Sequence, residues 1–337
     1  MHDDAAPSPV LFFETLTAYQ KTAALKAALE LDLFTAIGAV PATSAEIAAR
    51  CKASERGIRI LCDYLTILTF LEKSAERYSL TTDSATFLNR GSPTFAGGTA
   101  GFLLAPSLRT NFDHLSAAVR KGGTADAEHG TIAPEHPVWI EFARGMAPMM
   151  FPQAEALADL LSLAPGGTTK VLDISASHGA YGMAVARRNA DIHLVALDWE
   201  PVLKLTRENA EKAGLAERFS TIDGNAFDVE LGRDYDVILI PNFLHHFDAA
   251  TCVDFLRKVK TALRDGGRVA IVEFVPNPDR ISPPEAASFS LVMLATTPAG
   301  DAYTFAEFQE MLSQAGFGET ERHPLPPGVA TAIIARR

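Results

Sequence analysis

The chain has 337 residues, of which 47% are hydrophobic and 21% charged, and its 41 acidic and 30 basic residues give a formal net charge of −11. This composition supports a sizeable buried core and excludes an intrinsically disordered chain. The excess of acidic residues argues against nucleic acid and acidic membrane surfaces as partners.

Cysteine content and the N-terminal sequence bear on the compartment. Cys51, Cys62 and Cys252 are an odd number without a CxxC pair, which argues against a disulfide framework or a structural zinc site. The first ten residues, MHDDAAPSPV, lack the basic and apolar segments of a signal peptide. Apolar runs fall far short of the ~20 residues that a membrane-spanning helix needs. We therefore expect a cytoplasmic protein without a membrane partner.

Residues 11–80 carry the pattern of a small helical domain. Apolar side chains recur at three- and four-residue spacing, and one such stripe covers residues 58–68. Thr43 and Ser54 stand where N-cap residues begin helices. The segment EKSAERYSLT then predicts a short hairpin. This order of helices and hairpin indicates a winged-helix domain over residues 1–105.

A winged helix can bind DNA, and charge decides how strong this alternative is. Residues 1–100 hold nine Lys and Arg against eleven Asp and Glu, whereas DNA binding needs basic residues that face phosphates. The candidate recognition helix carries Arg56 and Arg59. Glu55 and Asp63 lie beside them in sequence and oppose their charge. We therefore favour packing against another protein chain, and a mobility shift at low salt tests the weaker DNA alternative.

The period of the apolar pattern changes after Lys170. Short β-type runs alternate with amphipathic helical stretches, in the order KVLDI, HLVALD, FSTID, YDVILIPN and RVAIVEF. A sixth strand is expected to open at Gly316 and Phe317, and TAIIARR is the candidate for a seventh. Such alternation predicts an α/β fold, a parallel sheet with helices on both faces.

Three segments follow from these patterns. The sheet domain is predicted over residues 166–337, and residues 106–165 are predicted to be a helical linker that contributes to the pocket. The clearest hinge between the two is formed by Pro165, Gly166 and Gly167. The length of the chain agrees with about two domains, at roughly 100–200 residues each.

A nucleotide-type loop follows the first strand of the sheet. Its skeleton is Asp173-x-Ser175-x-Ser177-x-Gly179, in which two glycines of the usual pattern are serines. A pyrophosphate needs glycines for the close approach of the backbone, so the serines disfavour NAD. S-adenosylmethionine has no phosphate and tolerates small side chains there. Asp198, 19 residues after Gly179, ends the next strand and can accept hydrogen bonds from both ribose hydroxyls.

The third strand ends in a segment suited to an adenine ring. Asn225 offers a polar side chain, and Ala226 and Phe227 follow it with apolar ones. Trp199 directly follows the ribose-binding candidate Asp198 and is predicted to contact the cofactor as well. The ordered set on one βαβαβ frame predicts a site for S-adenosylmethionine.

The fourth strand ends in PNFLHHFD, which places Asn242, His245 and His246 at the edge where doubly wound sheets bind ligands. Adjacent histidines are not expected to form a metal pair, because neighbouring side chains diverge in extended chain. No acid-rich trio for Mg²⁺ is found either, so no metal is predicted. One histidine can serve as a general base for a phenol. Glu273, at the end of the next strand, can orient its imidazole.

Six segments in this order resemble the motifs of a known family: VLDISASHG, VALDW, DGNAFD, NFLHHFD, GGRVAIVEFVPN and GDAYTFAEF. Together with the winged helix they are similar to the class I S-adenosylmethionine-dependent small-molecule O-methyltransferases, the plant caffeate and flavonoid type and their bacterial relatives. The resemblance covers roughly residues 10–335. It implies a Rossmann-like seven-stranded methyltransferase sheet with an N-terminal, all-helical winged-helix dimerisation domain, and a homodimer formed through that domain.

The resemblance also implies roles for single residues. The catalytic histidine of the family falls on His245, and His246 stands where relatives often carry Asp. The family's ribose-binding acid falls on Asp198, its adenine-side acid on Asn225, and its first orienting glutamate on Glu273.

One departure and one further surface complete the resemblance. A second orienting glutamate of the plant members falls on Ala302, which implies a less firmly held base, with Asp301 as the neighbouring candidate substitute. The family's phenol-binding wall corresponds to FARGMAPMM and SFSLVML. These segments, with the second histidine, give the predicted substrate pocket: Met146, Met149, Met150, His246, Phe289 and Met293.

The sequence thus predicts methyl transfer from S-adenosylmethionine to a hydroxyl of a small aromatic or polyketide-like metabolite, without metal and with a histidine base. S-adenosylhomocysteine would be the second product. Two alternatives stay open: a cofactor-binding regulatory protein without catalysis, and an N- or C-methyltransferase on the same scaffold. The sequence does not name the acceptor.

Overall fold

The structure is a computed structural model of the chain, and it describes residues 7–126, 130–133, 135–163, 166 and 169–337. The chain forms two compact units, Met1–Ala100 and Gly101–Arg337. Of the predicted hinge, Pro165 and Gly167 lie outside the described residues. No helix in the described part of the chain is long and apolar enough to cross a membrane.

The first unit combines short helices with a small antiparallel sheet. Its elements are α1 Val10–Leu16, α2 Ala18–Glu30, α3 Leu33–Ile37, β1 Ala42–Thr43, α4 Ser44–Cys51, α5 Glu55–Ile67, β2 Leu71–Ser74, β3 Arg77–Leu80 and α6 Thr82–Phe87. The hairpin β2–β3 is extended by β1 in the order β1-β3-β2. The unit is therefore mostly helical but not wholly so, with the wing that the sequence predicts.

Local sequence signals set the helix boundaries of this unit. Thr43 forms a capping box with Glu46, and the Ser54 side chain accepts a hydrogen bond from the backbone N–H of Gly57, as expected for N-cap residues. The predicted apolar stripe points inward, since Ile58 and Leu65 are almost fully buried. These helix starts and this buried face are confirmed.

The second unit begins with helices and continues as alternating strands and helices. Its helices are α7 Ala100–Leu103, α8 Pro106–Asp113, α9 Leu115–Lys121, α10 Val138–Gly145, α11 Ala147–Leu161, α12 Ala180–Arg188, α13 Glu200–Lys212, α14 Ala249–Ala262, α15 Pro284–Ala287, α16 Phe289–Thr296 and α17 Phe305–Gln314. Its strands are β4 Thr169–Ile174, β5 Ile192–Asp198, β6 Phe219–Asp223, β7 Tyr235–Pro241, β8 Leu263–Phe274, β9 Thr320–Pro324 and β10 Ala330–Arg336.

Within the described residues, the seven strands of this unit form one sheet in the order β6-β5-β4-β7-β8-β10-β9. The first five are parallel, and β10 runs antiparallel to both of its neighbours. The α/β prediction is confirmed. One boundary was wrong: the sixth strand starts at Thr320, because Gly316 has φ +83° in the turn after α17.

Both faces of this sheet are buried, which explains its continuous apolar strands. Along β7, Ile238 and Ile240 pack into a core with α14 and α17, while Val237 and Leu239 pack into a second core with α11 and α12. Parallel strands end at one edge, so the loops after β4, β5, β6, β7 and β8 meet there. The predicted polar residues lie on these loops.

Candidate active site

The loop between β4 and α12 folds with an unusual backbone. Ser175, Ser177 and Gly179 have φ of +56°, +53° and +79°. Glycine adopts such left-handed conformations freely, whereas other residues do so at a cost. A Cβ at Gly179 would also lie 3.1 Å from Thr206. The chain therefore keeps the backbone path of a glycine-rich loop with serine at two of its positions.

Asp198 at the end of β5 holds this loop in place. One of its carboxylate oxygens accepts the backbone N–H of Ser177 at 2.8 Å, and the other accepts that of Trp199 at 2.8 Å. Burial raises the pKa of Asp198 to about 6. Each oxygen keeps a second acceptor position, as a pair of ribose hydroxyls requires. Trp199 itself is half-buried at the N-cap of α13.

Asp173 lies deeper, 1% exposed within β4. Its Oδ2 accepts the backbone N–H of Gly182 at 2.9 Å, whereas Oδ1 has no hydrogen-bond partner among the residues that the structure describes. Burial and then the nearby charge of Asp198 raise the pKa of Asp173 to about 8. A buried carboxylate oxygen without a partner is suited to a cationic ligand group, which would favour the ionised form.

The loop after β6 is built on Asn225. Its side-chain oxygen accepts the N–H of Phe227 at 3.1 Å, and its amide donates to Asp228 at 2.8 Å. Sequence reasoning missed Lys258 on α14, whose ammonium donates to the backbone oxygens of Ala226 and Phe227 at 3.0 and 2.7 Å. These bonds fix the backbone of the segment that the sequence assigns to adenine.

The two histidines after β7 lie in a 3₁₀ helix, Leu244–His246. The prediction that the two side chains diverge assumed extended chain and was wrong. In the 3₁₀ helix the centroids of the two rings lie 4.2 Å apart. The His246 Nδ1 donates to the carbonyl of Phe243 at 3.1 Å. Burial, and then the neighbouring His245, lower the pKa of His246 well below its usual value. No group of three or more potential metal ligands is found among the described residues.

Glu273 at the end of β8 anchors the whole turn. Its Oε1 accepts the backbone N–H groups of Phe243, Leu244 and His245 at 3.0, 2.9 and 3.3 Å. Its Oε2 lies 2.5 Å from His245 Nδ1. A carboxylate that accepts so many bonds makes Nδ1 the protonated nitrogen, which leaves the lone pair on Nε2.

The missing second glutamate has no substitute in Asp301. The Asp301 carboxylate accepts the N–H of Ala302 at 2.8 Å and lies 3.4 Å from the Arg280 guanidinium. Among the described hydrogen bonds, Asp301 reaches the histidine turn through its backbone, whose N–H donates to the carbonyl of His245 at 3.0 Å. The His245 imidazole is held by Glu273, and Ala302 is a buried residue.

Gly300 lets this segment approach the histidine turn. A Cβ there would collide with the His245 carbonyl oxygen and lie 2.9 Å from the backbone carbon of His246. We expect Gly300→Ala to lower the free energy of unfolding by about 1–3 kcal/mol because backbone atoms cannot rotate aside. Differential scanning fluorimetry should show a lower melting temperature for the variant, and the rate of methyl transfer should fall as well.

Gly318→Ala is the matched control for that variant, since its Cβ would have only an ordinary 3.7 Å contact. Equal melting temperatures for the two variants would contradict the close approach at Gly300.

Aromatic rings surround the histidines. Phe289 packs edge-on against His245, with centroids 4.8 Å apart, as the pocket prediction requires. Trp139 packs edge-on against His246 at 5.2 Å, and Phe142 stacks on His178 at 6.1 Å. Both are residues of α10 that sequence reasoning missed. The signal was available, because Trp139 is one of only two tryptophans and lies just before FARGMAPMM.

The predicted methionines divide into two groups. Met146, Met150 and Met293 are buried, and Met149 is 48% exposed. The Met150 sulfur lies 3.8 Å from the side-chain nitrogen of Asn242, a residue with φ +52° directly after β7. Met150 thus touches the predicted cofactor edge, while Met149 faces outward in this unit.

Comparison with known proteins identifies the family. Residues 112–318 match the model of the O-methyltransferase domain, and residues 13–90 match that of the O-methyltransferase dimerisation domain. This chain belongs to the O-methyltransferase family. Its N-terminal unit therefore carries the family's dimerisation domain, and its C-terminal unit carries the methyltransferase sheet.

Individual relatives agree with this assignment. The chain is 29% identical to 3-hydroxy-5-methyl-1-naphthoate 3-O-methyltransferase of Streptomyces sahachiroi, over 97% of this chain and 94% of that protein. It is also 29% identical to L-tyrosine C(3)-methyltransferase of Streptomyces lavendulae, over 87% and 82% of the two chains.

Two solved structures share the fold. A Nostoc punctiforme protein described as an O-methyltransferase is 53% identical, with a TM-score of 0.96 over 98% of this chain and 100% of that one. Human N-acetylserotonin methyltransferase, solved in complex with S-adenosylmethionine, is 22% identical, with a TM-score of 0.85 over 100% and 99% of the chains. The second likeness is one of fold.

Proposed function

We propose that this O-methyltransferase transfers the methyl group of S-adenosylmethionine to a hydroxyl of a small aromatic or polyketide-like acceptor, with His245 as general base and without a metal. The observation that carries the proposal is the 2.5 Å contact of His245 Nδ1 with buried Glu273 at the carboxyl edge of the sheet. In the neutral imidazole this contact places the proton on Nδ1 and the lone pair on Nε2.

The cofactor fits the residues at this edge. The unpaired Oδ1 of Asp173 suits a cationic group, and the buried Asp198 can accept from ribose. We assign the cofactor site to these two and to the remaining predicted residues: Ser175, Gly179, Trp199, Asn225, Ala226, Phe227 and Asn242. Bound S-adenosylmethionine supplies an electrophilic methyl group and leaves as S-adenosylhomocysteine.

His245 takes the proton of the acceptor hydroxyl on Nε2 as the oxygen forms its bond to the methyl carbon and the carbon–sulfur bond breaks. Glu273 stabilises the resulting imidazolium through Nδ1–H. Much of the remaining catalysis comes from holding oxygen and carbon about 3 Å apart and in line. His246 offers a second neutral ring beside the base.

An aromatic acceptor agrees with the rings around this nitrogen. Phe289 and Trp139 flank the two histidines edge-on, and such ring pairs stabilise by about 0.5–1.5 kcal/mol beyond their buried area. We place the acceptor between these rings, with Met146, Met150 and Met293 as the outer wall and without the exposed Met149. The naphthoate substrate in the name of the Streptomyces sahachiroi relative supports a planar acceptor of this kind.

Three measurements test this proposal. Isothermal titration should show binding of S-adenosylhomocysteine, and a panel of phenols and naphthols should yield methyl ethers by mass spectrometry. Turnover should be unchanged in excess EDTA. No cofactor binding at millimolar concentration would exclude the methyltransferase assignment, and loss of activity in EDTA would exclude the metal-free mechanism.

A second candidate keeps the cofactor and changes the acceptor atom. The relative named L-tyrosine C(3)-methyltransferase favours carbon methylation, since a base beside a phenol can also promote attack by its ring carbon. NMR spectroscopy of the product distinguishes the two, because the protons of an O-methyl group and of a ring C-methyl group have different chemical shifts.

We also propose that the N-terminal unit forms a homodimer through its first two helices. Six apolar side chains there are 55–75% exposed in the single chain: Val10, Leu11, Phe12, Phe13, Leu16 and Tyr19. A stretch of this kind marks an interaction surface. Residues 13–90 match the dimerisation domain, which supports a second copy as the partner.

The double variant Phe12→Ser, Phe13→Ser is expected to shift the protein from dimer to monomer. The loss of each ring removes roughly 2 kcal/mol of the hydrophobic free energy that stabilises the interface. Light scattering coupled to size exclusion measures the mass. Ile281→Ser, at a 76% exposed apolar residue of the other unit, is the control. A double variant that stays dimeric would contradict this interface.

The charges of the winged helix support the absence of nucleic acid. Asp63 on α5 pairs with Arg59 at 3.0 Å and with Lys73 on β2 at 2.6 Å. It also accepts the hydroxyl of Tyr78 at 2.7 Å. Both cations are therefore engaged with a carboxylate of their own unit, which weakens their attraction to phosphate.

A further inference from the structure

Three buried side-chain atoms have no hydrogen-bond partner among the described residues: Asp173 Oδ1, Ser177 Oγ and His178 Nε2. All three lie within six consecutive residues, from Asp173 near the end of β4 to His178 in the loop before α12. A buried polar atom left unpaired costs about 1–3 kcal/mol, and native structures satisfy nearly all of them. Their concentration in one loop indicates that a ligand completes it.

His178 Nε2 is a hydrogen-bond donor. The ring is 4% exposed, and its Nδ1 accepts the backbone N–H of Ala180 at 3.1 Å. Burial lowers the pKa of His178 to about 4, so the imidazole is neutral at physiological pH. A neutral ring whose Nδ1 accepts carries its proton on Nε2. Phe142 stacks on this ring with an interplanar angle of 14° and restricts its rotation.

Ser177 departs from glycine at a cost. Its φ of +53° is a conformation that costs a non-glycine residue on the order of 1 kcal/mol. Its backbone is already used, since the N–H binds Asp198 and the carbonyl accepts the Thr206 hydroxyl at 2.5 Å. In return, the buried Ser177 hydroxyl forms no hydrogen bond to any described residue. A side chain that adds strain and an unpaired polar atom is typical of a ligand contact.

We propose that Ser177 Oγ and His178 Nε2 donate hydrogen bonds to the carboxylate of the cofactor's methionine moiety, while Asp173 Oδ1 accepts from its ammonium group. Two unpaired donors and one unpaired acceptor complement an amino-acid zwitterion. The inference rests on the proposed function, because it takes this loop as the cofactor site. It assigns cofactor recognition to a hydroxyl and an imidazole instead of to the loop backbone alone.

A truncated ligand separates this role from a structural one. Calorimetry compares S-adenosylhomocysteine, which has the amino-acid end, with 5′-methylthioadenosine, which lacks it. In Ser177→Gly and His178→Phe the Kd for S-adenosylhomocysteine should rise about 10-fold or more, by loss of a hydrogen bond to a charged group. The Kd for 5′-methylthioadenosine should change less than about 2-fold, because no lost bond reaches it.

The two variants alter the fold in different ways, so the test does not depend on the correct folding of one variant alone. Ser177→Gly relaxes the backbone, and His178→Phe keeps a ring against Phe142. Asp234→Gly relaxes a surface residue with φ +62° and serves as the control for that relaxation.

Unchanged S-adenosylhomocysteine affinity in both variants, or equal losses for both ligands, would overturn the zwitterion contact. Wild-type protein that binds neither ligand would instead overturn the proposed function itself.

Discussion

Replacing His245 with alanine is expected to lower turnover by about 10²- to 10⁴-fold, the usual contribution of a general base. The affinity for S-adenosylhomocysteine should stay within about 2-fold, because no lost hydrogen bond reaches the cofactor. The reason is geometric: Glu273 keeps Nδ1 protonated, so Nε2 is the nitrogen that can take the acceptor's proton.

Initial rates by mass spectrometry and calorimetry of the same samples measure both quantities. His323→Ala provides the matched control, since that histidine lies on the edge strand β9 and pairs with Glu321 at 3.0 Å. Wild-type turnover in His245→Ala would remove the base from the mechanism and favour catalysis by positioning alone. A parallel loss of cofactor binding would show that the ring supports the cofactor loops instead.

The size of the turnover loss in His245→Ala should also depend on the pKa of the acceptor hydroxyl. A phenol with a pKa near 10 needs a base at neutral pH, whereas an acceptor already ionised does not. The His245→Ala defect should therefore shrink as the acceptor becomes more acidic. A series of substituted phenols reports this trend, and its slope measures proton transfer directly.

The sequence predicted the frame of the site because strand ends are local signals. Asp173, Asp198 and Glu273 follow or end apolar runs, and parallel strands bring such positions to one edge. Cofactor contacts were predicted in the same way for residues close to these acids in sequence, such as Ser175 and Trp199. The succession of strands along the chain and the pairing of His245 with Glu273 were within reach of this reasoning, whereas the order of the strands in the sheet was not predicted.

What sequence could not predict depends on conformation and on distant contacts. The histidine pair was expected to diverge, and a 3₁₀ turn brings the rings together. Trp139 and Phe142 reach the histidines of other loops across long stretches of chain. The left-handed φ of Ser177 has no signature in the residue type itself, because the residue disfavours it.

Glu273→Gln should separate the position of His245 from its protonation. The amide oxygen can still accept the three backbone N–H groups at Oε1, so the turn stays folded. The amide nitrogen at the other position donates instead of accepting and drives the proton of His245 to Nε2. A protonated Nε2 cannot act as a base, and turnover should fall by about 10²- to 10⁴-fold.

Two readouts distinguish this from a simple loss of structure. Nitrogen-15 NMR spectroscopy of labelled histidine should show the change of tautomer, and the melting temperature should stay close to that of the wild type. Glu273→Ala is the contrasting variant, since it leaves four buried donors unpaired at about 1–3 kcal/mol each and should unfold far more easily. A folded Glu273→Gln protein with full turnover would mean that the tautomer of His245 does not limit the reaction. The buried carboxylate would then serve the turn alone, through the three backbone bonds that it accepts.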